Sequence, residues 1–222
     1  MLFSGGKDSV MSLYHALSDG HDVAYILSMV SKRDDSYMYH VPNIHMTKLS
    51  SESLGIPLLQ WDTSGVEEKE LDDLREALLF LKNEGVEGIY SGALFSTYQR
   101  SRIDSICDDL GLKSVSPLWH VDPLEYMLEI LELGFKVIIS GVFAAGLDES
   151  WLGRVIDKEA LDELIVIADK YRINLAFEGG EAETFVLDGP IFKKSISILE
   201  SHNEWDCDSG VFIIDNAVLA DK

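Results

Sequence analysis

The chain has 222 residues, of which 46% are hydrophobic and 26% are charged, and this is the composition of a folded globular protein. It carries 18 Lys and Arg against 39 Asp and Glu, so its formal net charge is −21. This charge argues against binding to nucleic acid or to anionic lipid, because both kinds of binding depend on clustered cations.

The cysteine pattern indicates a reducing compartment. The two cysteines, Cys107 and Cys207, lie far apart and lack the spacing of a zinc site. The longest apolar run, at 137–147, is interrupted by glycines and a serine and is too short to span a bilayer. We find no pattern of a secretory signal at the N-terminus. We therefore expect a cytoplasmic protein without a nucleic-acid or membrane partner.

Short apolar runs alternate with helical patterns in the first half of the chain. The runs fall at 2–3, 23–30, 57–61, 88–90 and 113–115, and helical spacing of apolar residues is found at 10–17, 71–81 and 103–110. Apolar runs that are nearly continuous are typical of strands buried on both faces of a parallel sheet. The pattern predicts a doubly wound α/β domain with a parallel five-stranded sheet over residues 1–119. Its first strand is very short, or the sequence begins late.

The second half predicts a smaller α+β domain over residues 120–222, with the boundary near Trp119 to Pro123. Helices are expected at 124–133 and 158–171, strands at 135–140 and 175–177, and an antiparallel pair at 191–199 and 211–219. Asp157 is the expected N-cap of the second of these helices.

Residues 4–9, Ser-Gly-Gly-Lys-Asp-Ser, are called the glycine loop here; they follow the first apolar run and open a helix. Two glycines let the backbone turn tightly and approach an anion closely, and the helix that follows offers N–H groups and the positive end of its dipole. Ser4 and Ser9 add hydroxyl donors and Lys7 adds a cation. Asp8 is unfavourable beside an anion unless it caps the helix or binds a metal. A plain strand–turn–helix junction is the alternative, but these side chains favour a pyrophosphate site.

Further polar strings follow the strands at the carboxyl edge of the predicted sheet, where open α/β sheets bind ligands. Tyr37 and His40 lie in the string S-Y-M-Y-H after the second run, and Ser91-Gly92 follows the fourth. The helix start at 96–102 contains two arginines, a residue type that binds phosphate oxygens in pairs. An ordinary aromatic loop and a surface salt-bridge network are the alternatives for these strings.

The string at 178–184, Glu-Gly-Gly-Glu-Ala-Glu-Thr, is called the acidic string here. Its clustered carboxylates repel one another unless a cation lies among them. That cation would be Mg²⁺, an ammonium or a quaternary amine. A solvated acidic turn is the alternative in so acidic a chain.

Taken together, these strings resemble the diphthine–ammonia ligase (diphthamide synthetase) family of the PP-loop ATP pyrophosphatases. The resemblance covers essentially the whole chain and is carried by S-G-G-K-D-S, S-Y-M-Y-H, G-A-x-x-S-x-Y-Q-R-x-R, P-L-W and E-G-G-E-A-E-T. Ala182 departs from the family, which usually has an aromatic residue there. The resemblance implies a PP-loop (HUP-like) ATP-binding domain followed by a substrate-binding domain.

The implied reaction is amidation of diphthine, a modified histidine of translation elongation factor 2, with ammonium. The diphthine carboxylate would attack the α-phosphate of ATP to give an acyl-adenylate and pyrophosphate, and ammonia would then displace AMP. ATP and Mg²⁺ are the implied cofactors. Elongation factor 2 and ammonium are the implied partners, and a homodimer is a further expectation. A basic factor surface would be attracted by an acidic enzyme.

The resemblance also assigns roles to individual residues. Those implied in catalysis are Lys7, Asp8, Glu178, Glu181 and Glu183, with Asp8 as the metal ligand. Those implied in nucleotide binding are Ser4, Gly5, Gly6, Lys7, Asp8, Ser9, Leu27, Ser91, Gly92, Gln99, Arg100 and Arg102, with adenine near 27–30. Those implied in substrate binding are Tyr37, His40, Ser96, Tyr98, Trp151, Glu178, Gly179, Gly180, Glu181, Glu183 and Thr184.

Two other functions remain open at this stage. One is a different ATP-pyrophosphatase chemistry, such as tRNA thiolation or a small-molecule amidotransferase of the corrinoid-salvage type. The acidity and the absence of paired cysteines disfavour thiolation, and only the acidic string speaks against the small-molecule reaction. The other is a nucleotide sensor without catalysis, which the Lys-Asp-Ser continuation of the loop disfavours.

Overall fold

The computed structural model describes residues 1–31, 42–66 and 69–222. The chain forms two compact units, and each is built from separate pieces of sequence. The first comprises Met1–Ser4, Asp8–Thr47 and Ile56–His120, and the second comprises Gly5–Lys7, Lys48–Gly55 and Val121–Lys222. Over the ranges described, we find no helix with the length and apolar character needed to cross a membrane.

Six α-helices and eight strands are described. In chain order they are α1 (Lys7–Ser18), β1 (Ile26–Ser31), α2 (Thr47–Leu54), β2 (Leu58–Thr63), α3 (Lys69–Asn83), β3 (Gly88–Tyr90), α4 (Thr97–Leu110), β4 (Lys113–Val115), α5 (Pro123–Glu132), β5 (Lys136–Val142), α6 (Lys158–Tyr171), β6 (Ala182–Asp188), β7 (Ser195–Asp206) and β8 (Ser209–Ala220).

The first unit has the predicted α/β character, but its strands form two short parallel sheets. β1 pairs with β2 and β3 pairs with β4. Leu2 makes a single parallel bridge with Leu27, and the N–H of Leu2 also donates to the carbonyl of Tyr90 at 2.9 Å. The predicted five-stranded sheet is therefore described only in part. The reason is that the first apolar run has too few residues before the glycine loop to form a ladder.

The core of the first unit explains why the helical patterns form helices. Leu74, Leu78 and Leu81 of α3 fall on one face and are at most 1% exposed. They join Ile103 and Ile106 of α4 and the buried side of β1 in one cluster. Each Å² of apolar surface that these faces remove from water stabilises the unit by about 25 cal/mol.

The second unit is built on a four-stranded antiparallel sheet with the order β6-β5-β8-β7. β7 and β8 form the predicted antiparallel pair, in a register that runs from Ser195 opposite Ala220 to Asp206 opposite Ser209. The connecting turn contains Cys207, whose φ of 55° lies in the left-handed region. The predicted N-cap is also confirmed, because Asp157 accepts the N–H of Ala160 at 2.9 Å.

The predicted strand at 175–177 is wrong. These residues form a turn in which Phe177 has a φ of 64°, a conformation that no strand residue adopts. The strand lies instead at β6, which begins inside the acidic string. Apolar content at 175–177 suggested a strand, but the string that follows it provides the pairing partner of β5.

Candidate functional site

The glycine loop turns tightly at Gly5, whose φ is 84°. The hydroxyl of Ser9 accepts the N–H of Ser4 and lies 3.3 Å from the hydroxyl of Ser4, so the two ends of the loop are tied together. α1 then begins at Lys7, with Asp8 in its first turn. A closed turn that leads into a helix N-terminus is the geometry expected of an anion site.

In the first unit, the segment after β3 packs directly on the start of α1. The hydroxyl of Ser12 donates to the carbonyl of Ser91 at 2.9 Å. A β-carbon placed on Gly92 would lie 2.7 Å from the carbonyl carbon of Asp8 and 2.9 Å from the nitrogen of Ser9. Only glycine fits this approach. The structure therefore places Ser91 and Gly92 against the start of α1, and their role in nucleotide binding stays a prediction.

In the second unit, the middle of the glycine loop is fastened to β6. The N–H of Lys7 donates to Oγ1 of Thr184 at 3.1 Å, across 177 positions of sequence. The carbonyl of Gly5 accepts the N–H of Val186 at 2.9 Å. A β-carbon on Gly5 would lie 2.7 Å from the ring of Phe185. The two most informative strings of the sequence, the glycine loop and the acidic string, are thus in direct contact.

The Lys7 side chain is buried, with 3% of its surface exposed. Its Nζ lies 5.7 Å from the ring centre of Tyr126 and 5.6 Å from that of Phe177. Both distances are within the range of a cation–π contact. No sequence motif predicted that either aromatic residue contacts Lys7. Tyr126 lies on the apolar face of α5, and Phe177 precedes the acidic string but belongs to no motif.

The carboxylate of Glu181 organises the acidic string itself. Oε1 accepts the N–H of Asn174 at 2.7 Å, and Oε2 accepts the N–H of Gly179 at 2.7 Å. Its backbone carbonyl accepts the N–H of Phe143. Hydrogen bonds to a charged acceptor are among the stronger ones in proteins. Gly180 completes the turn with a φ of 77°.

The two other carboxylates of the string are half-buried. Glu178 follows the strained turn, and Glu183 lies on β6 next to Thr184, whose hydroxyl contacts the glycine loop. Thr184 is 4% exposed, and its hydroxyl accepts a backbone N–H of the glycine loop. The contact that the structure shows for Thr184 is therefore with the protein's own backbone. Its predicted contact with substrate stays a prediction.

The arginines of α4 lie on aromatic faces. Ser96 caps the helix by accepting the N–H of Gln99 at 3.3 Å. The guanidinium carbon of Arg100 lies 4.3 Å from the ring centre of Trp119. That of Arg102 lies 3.3 Å from the ring centre of Tyr98. These contacts fix the direction of both side chains.

Two predicted positions, Leu27 and Trp151, are buried among other residues, and two more are not described by the structure. Leu27 lies in the core of the first unit at 1% exposure, and its N–H and carbonyl bond to Met1 and Phe3. Trp151 is 4% exposed and is covered by the Arg154 guanidinium at 4.3 Å. The other two, Tyr37 and His40, lie outside the described residues.

A magnesium ion fits Asp8 only as a partner of bound phosphates. Among residues 1–31, 42–66 and 69–222, no group of three or more His, Cys, Asp or Glu is arranged to hold a metal. Mg²⁺ that is bound with a nucleotide takes most of its ligands from phosphates and water and needs only one or two carboxylates. The donor set at the start of α1 is consistent with that mode.

Comparison with known proteins places these features in one family. The model of the diphthamide synthase N-terminal domain matches residues 1–114, and that of the C-terminal domain matches residues 122–220. A diphthine–ammonia ligase of Homo sapiens is 34% identical over 217 residues, which is 89% of this chain and 81% of that protein. The Mus musculus protein of the same name is 33% identical, with the same coverage of both chains.

Two further matches are a fungal protein of the same name and a solved structure with a low structural likeness. A diphthine–ammonia ligase of Schizosaccharomyces pombe is 33% identical over 90% of this chain and 36% of its own length. A crystal structure described as a predicted subunit of tRNA methyltransferase from Methanocaldococcus jannaschii has a TM-score of 0.45 and 14% identity, covering 87% of this chain and 96% of that one. On the two domain matches and the identity to the vertebrate proteins, the chain belongs to the diphthamide synthase family.

Proposed function

We propose that this protein is an ATP-dependent diphthine–ammonia ligase that converts the diphthine side chain of elongation factor 2 to diphthamide. The family membership of both halves supports the reaction, since the curated relatives carry the name diphthine–ammonia ligase. The observation that carries the proposal is the bond from the N–H of Lys7 to Thr184, because it joins the glycine loop to the acidic string. A nucleotide site and a cation site in contact are what this reaction requires.

ATP is a substrate of this reaction. The diphthine carboxylate is activated as its adenylate with loss of pyrophosphate, and ammonia then displaces AMP. Mg²⁺ supplies charge neutralisation on the phosphates when it is bound. The protein's task at the first step is to receive the negative charge that grows on the leaving pyrophosphate.

The chain's own donors are suited to that task. The glycine loop offers backbone N–H groups and the dipole of α1, and the buried Lys7 ammonium adds a full charge. Electrostatic stabilisation is strongest in such a water-poor setting. We assign Asp8 to the magnesium ion and Arg100 or Arg102 to the α-phosphate.

In the acidic string, we assign the incoming ammonium or the trimethylammonium of diphthine to Glu178 and Glu183. Both oxygens of Glu181 accept backbone N–H groups, so we propose that this carboxylate shapes the string. The cation role of Glu178 and Glu183 rests on the negative charge of the string alone.

We further propose that residues 1–119 form the ATP-binding domain and 120–222 the substrate-binding domain. The five-stranded parallel sheet of the first would run β2-β1, the segment Met1–Phe3, and β3-β4. The bonds from the N–H of Phe3 to Leu27 and from the N–H of Leu2 to Tyr90 support this order. A cytoplasmic location and a homodimer stay predictions from sequence.

The test is to incubate the protein with diphthine-bearing elongation factor, ATP and ammonium and to analyse the target peptide by mass spectrometry. We expect conversion of the acid to the amide. Pyrophosphate should form only when ATP and the diphthine-bearing protein are both present, and release of AMP with the amide should require ammonium as well. Lys7→Met should abolish both products, whereas Lys113→Met, an exposed control on β4, should not. Formation of ADP, or turnover of ATP without the protein substrate, would overturn the proposal.

A further inference from the structure

The Lys7 ammonium is held between two aromatic rings inside the second unit. Tyr126 is 0% exposed and Phe177 is 5% exposed, so both rings are shielded from water. The distances of 5.7 and 5.6 Å to their centres put the charge against both π faces at once. Nothing in the sequence motifs assigns a role to either residue.

The Phe177 ring is brought there by a backbone conformation that large residues rarely adopt. Its φ of 64° is left-handed, which costs about 1 kcal/mol for a residue with a bulky side chain. The N–H of Phe177 donates to the carbonyl of Asn174 at 2.9 Å, and its carbonyl accepts the N–H of Gly180 at 3.2 Å. Such strain persists only where the surroundings hold it, and it clusters at functional sites.

Aromatic rings solve a particular problem for a buried ammonium. Removing the charge from water is unfavourable unless other groups compensate. The face of a ring attracts the ammonium by its quadrupole and leaves its positive charge in place. The two rings therefore favour the ammonium at the position where the structure puts it.

We propose that Tyr126 and Phe177 are positioning residues that hold the charged Lys7 side chain ready for the pyrophosphate part of ATP. The inference rests on the proposed function for the identity of the anion. The strained turn has two effects, since it sets the Phe177 ring against Lys7 and starts the acidic string at Glu178. The acidic string and Lys7 are thereby linked through Phe177.

The first experiment measures binding rather than turnover. Phe177→Leu keeps an apolar side chain but removes the π face, and Phe177→Tyr restores it. We expect Phe177→Leu to weaken the binding of magnesium pyrophosphate and of ATP about tenfold, and that of AMP less than twofold. Phe177→Tyr should bind within about twofold of the parent protein. Phe192→Leu, a change of the same kind at another buried phenylalanine of this unit, serves as control.

The second experiment asks whether the ring acts through Lys7. In a double-mutant cycle, Phe177→Leu should have no further effect on pyrophosphate binding once Lys7→Met is present. Tyr126→Leu, with Tyr126→Phe as its conservative match, repeats the cycle should Phe177→Leu fail to fold. Additive losses, equal weakening of AMP and pyrophosphate, or failure of the tyrosine rescue would each overturn the inference.

The inference and the proposed function fail separately. If the parent protein binds pyrophosphate through Lys7 but makes no diphthamide, the positioning role stands and the proposed reaction is wrong. If the parent protein makes diphthamide but Phe177→Leu retains its affinity for pyrophosphate, the reaction stands and the positioning role is wrong.

Discussion

Replacing Glu181 by Gln separates a carboxylate that shapes the acidic string from one that binds a cation. The two carboxylate oxygens accept N–H groups from Asn174 and Gly179, each at 2.7 Å. Gln keeps one carbonyl oxygen, which can retain the part-buried bond to Asn174. The amide nitrogen at the other position is a donor and cannot accept the N–H of Gly179.

The expected cost follows from one lost hydrogen bond to a charged group. Such bonds contribute about 1.5–3 kcal/mol, and the exposure of Gly179 places this one near the lower end. We expect Glu181→Gln to lower the free energy of unfolding by about 1.5 kcal/mol, and hence Tm by about 3–6 °C. Hydrogen exchange at the Gly179 amide should accelerate about tenfold, and amidation should fall only modestly.

The assays are urea unfolding, amide exchange and diphthamide formation on the same protein samples. Glu132→Gln, at an exposed position at the end of α5, is the matched control and should change stability by less than about 0.5 kcal/mol. If Glu181→Gln unfolds and exchanges like the parent protein but loses amidation, the structural role assigned to this carboxylate is refuted. The carboxylate would then act on the substrate cation directly.

Three further predictions concern other parts of the molecule. Gly92→Ala would place a β-carbon 2.7 Å from backbone in the first turn of α1, so ATP affinity should fall at least tenfold and stability by about 1–3 kcal/mol, as measured by calorimetry and urea unfolding. Burial raises the pKa of Cys107 to about 11, so at about pH 8 a thiol reagent should label exposed Cys207 and leave Cys107 unmodified until the protein unfolds; equal labelling in the native state would contradict this. The hydrogen bond to Asp215 raises the pKa of His202 above its usual 6.5. The pair therefore stabilises the β7–β8 hairpin below about pH 6.5, and this stabilisation is lost as the pH rises through the higher pKa of the folded state. We expect His202→Gln to lower Tm at about pH 5.5 and to have little effect at about pH 9.

The local parts of the fold could be predicted because they depend on short-range patterns. The spacing of Leu74, Leu78 and Leu81 determines which face of α3 is buried, and Asp157 caps α6 through its own side chain. Glycine and serine in the glycine loop likewise predict a tight turn before a helix. In each case, the residues that interact are within one or two turns of each other in sequence.

The parts that could not be predicted depend on contacts between distant residues. The bond from Lys7 to Thr184 and the ring of Tyr126 near the Lys7 ammonium have no local signature. The strand predicted at 175–177 is wrong for a related reason, because an apolar triplet suggests a strand unless its surroundings force a positive φ, as they do at Phe177. The Leu27 side chain packs in the core of the first unit, and the adenine contact that the family resemblance implies near it stays a prediction.

The piecewise construction of the second unit has a consequence for how the protein matures. Gly5–Lys7 are synthesised before the strand that binds them, because Thr184 of β6 follows Lys7 by 177 positions. Until β6 has been made, the glycine loop lacks its bonds to Thr184 and Val186. The loop therefore acquires its final backbone support only after most of the residues between these two segments have been translated.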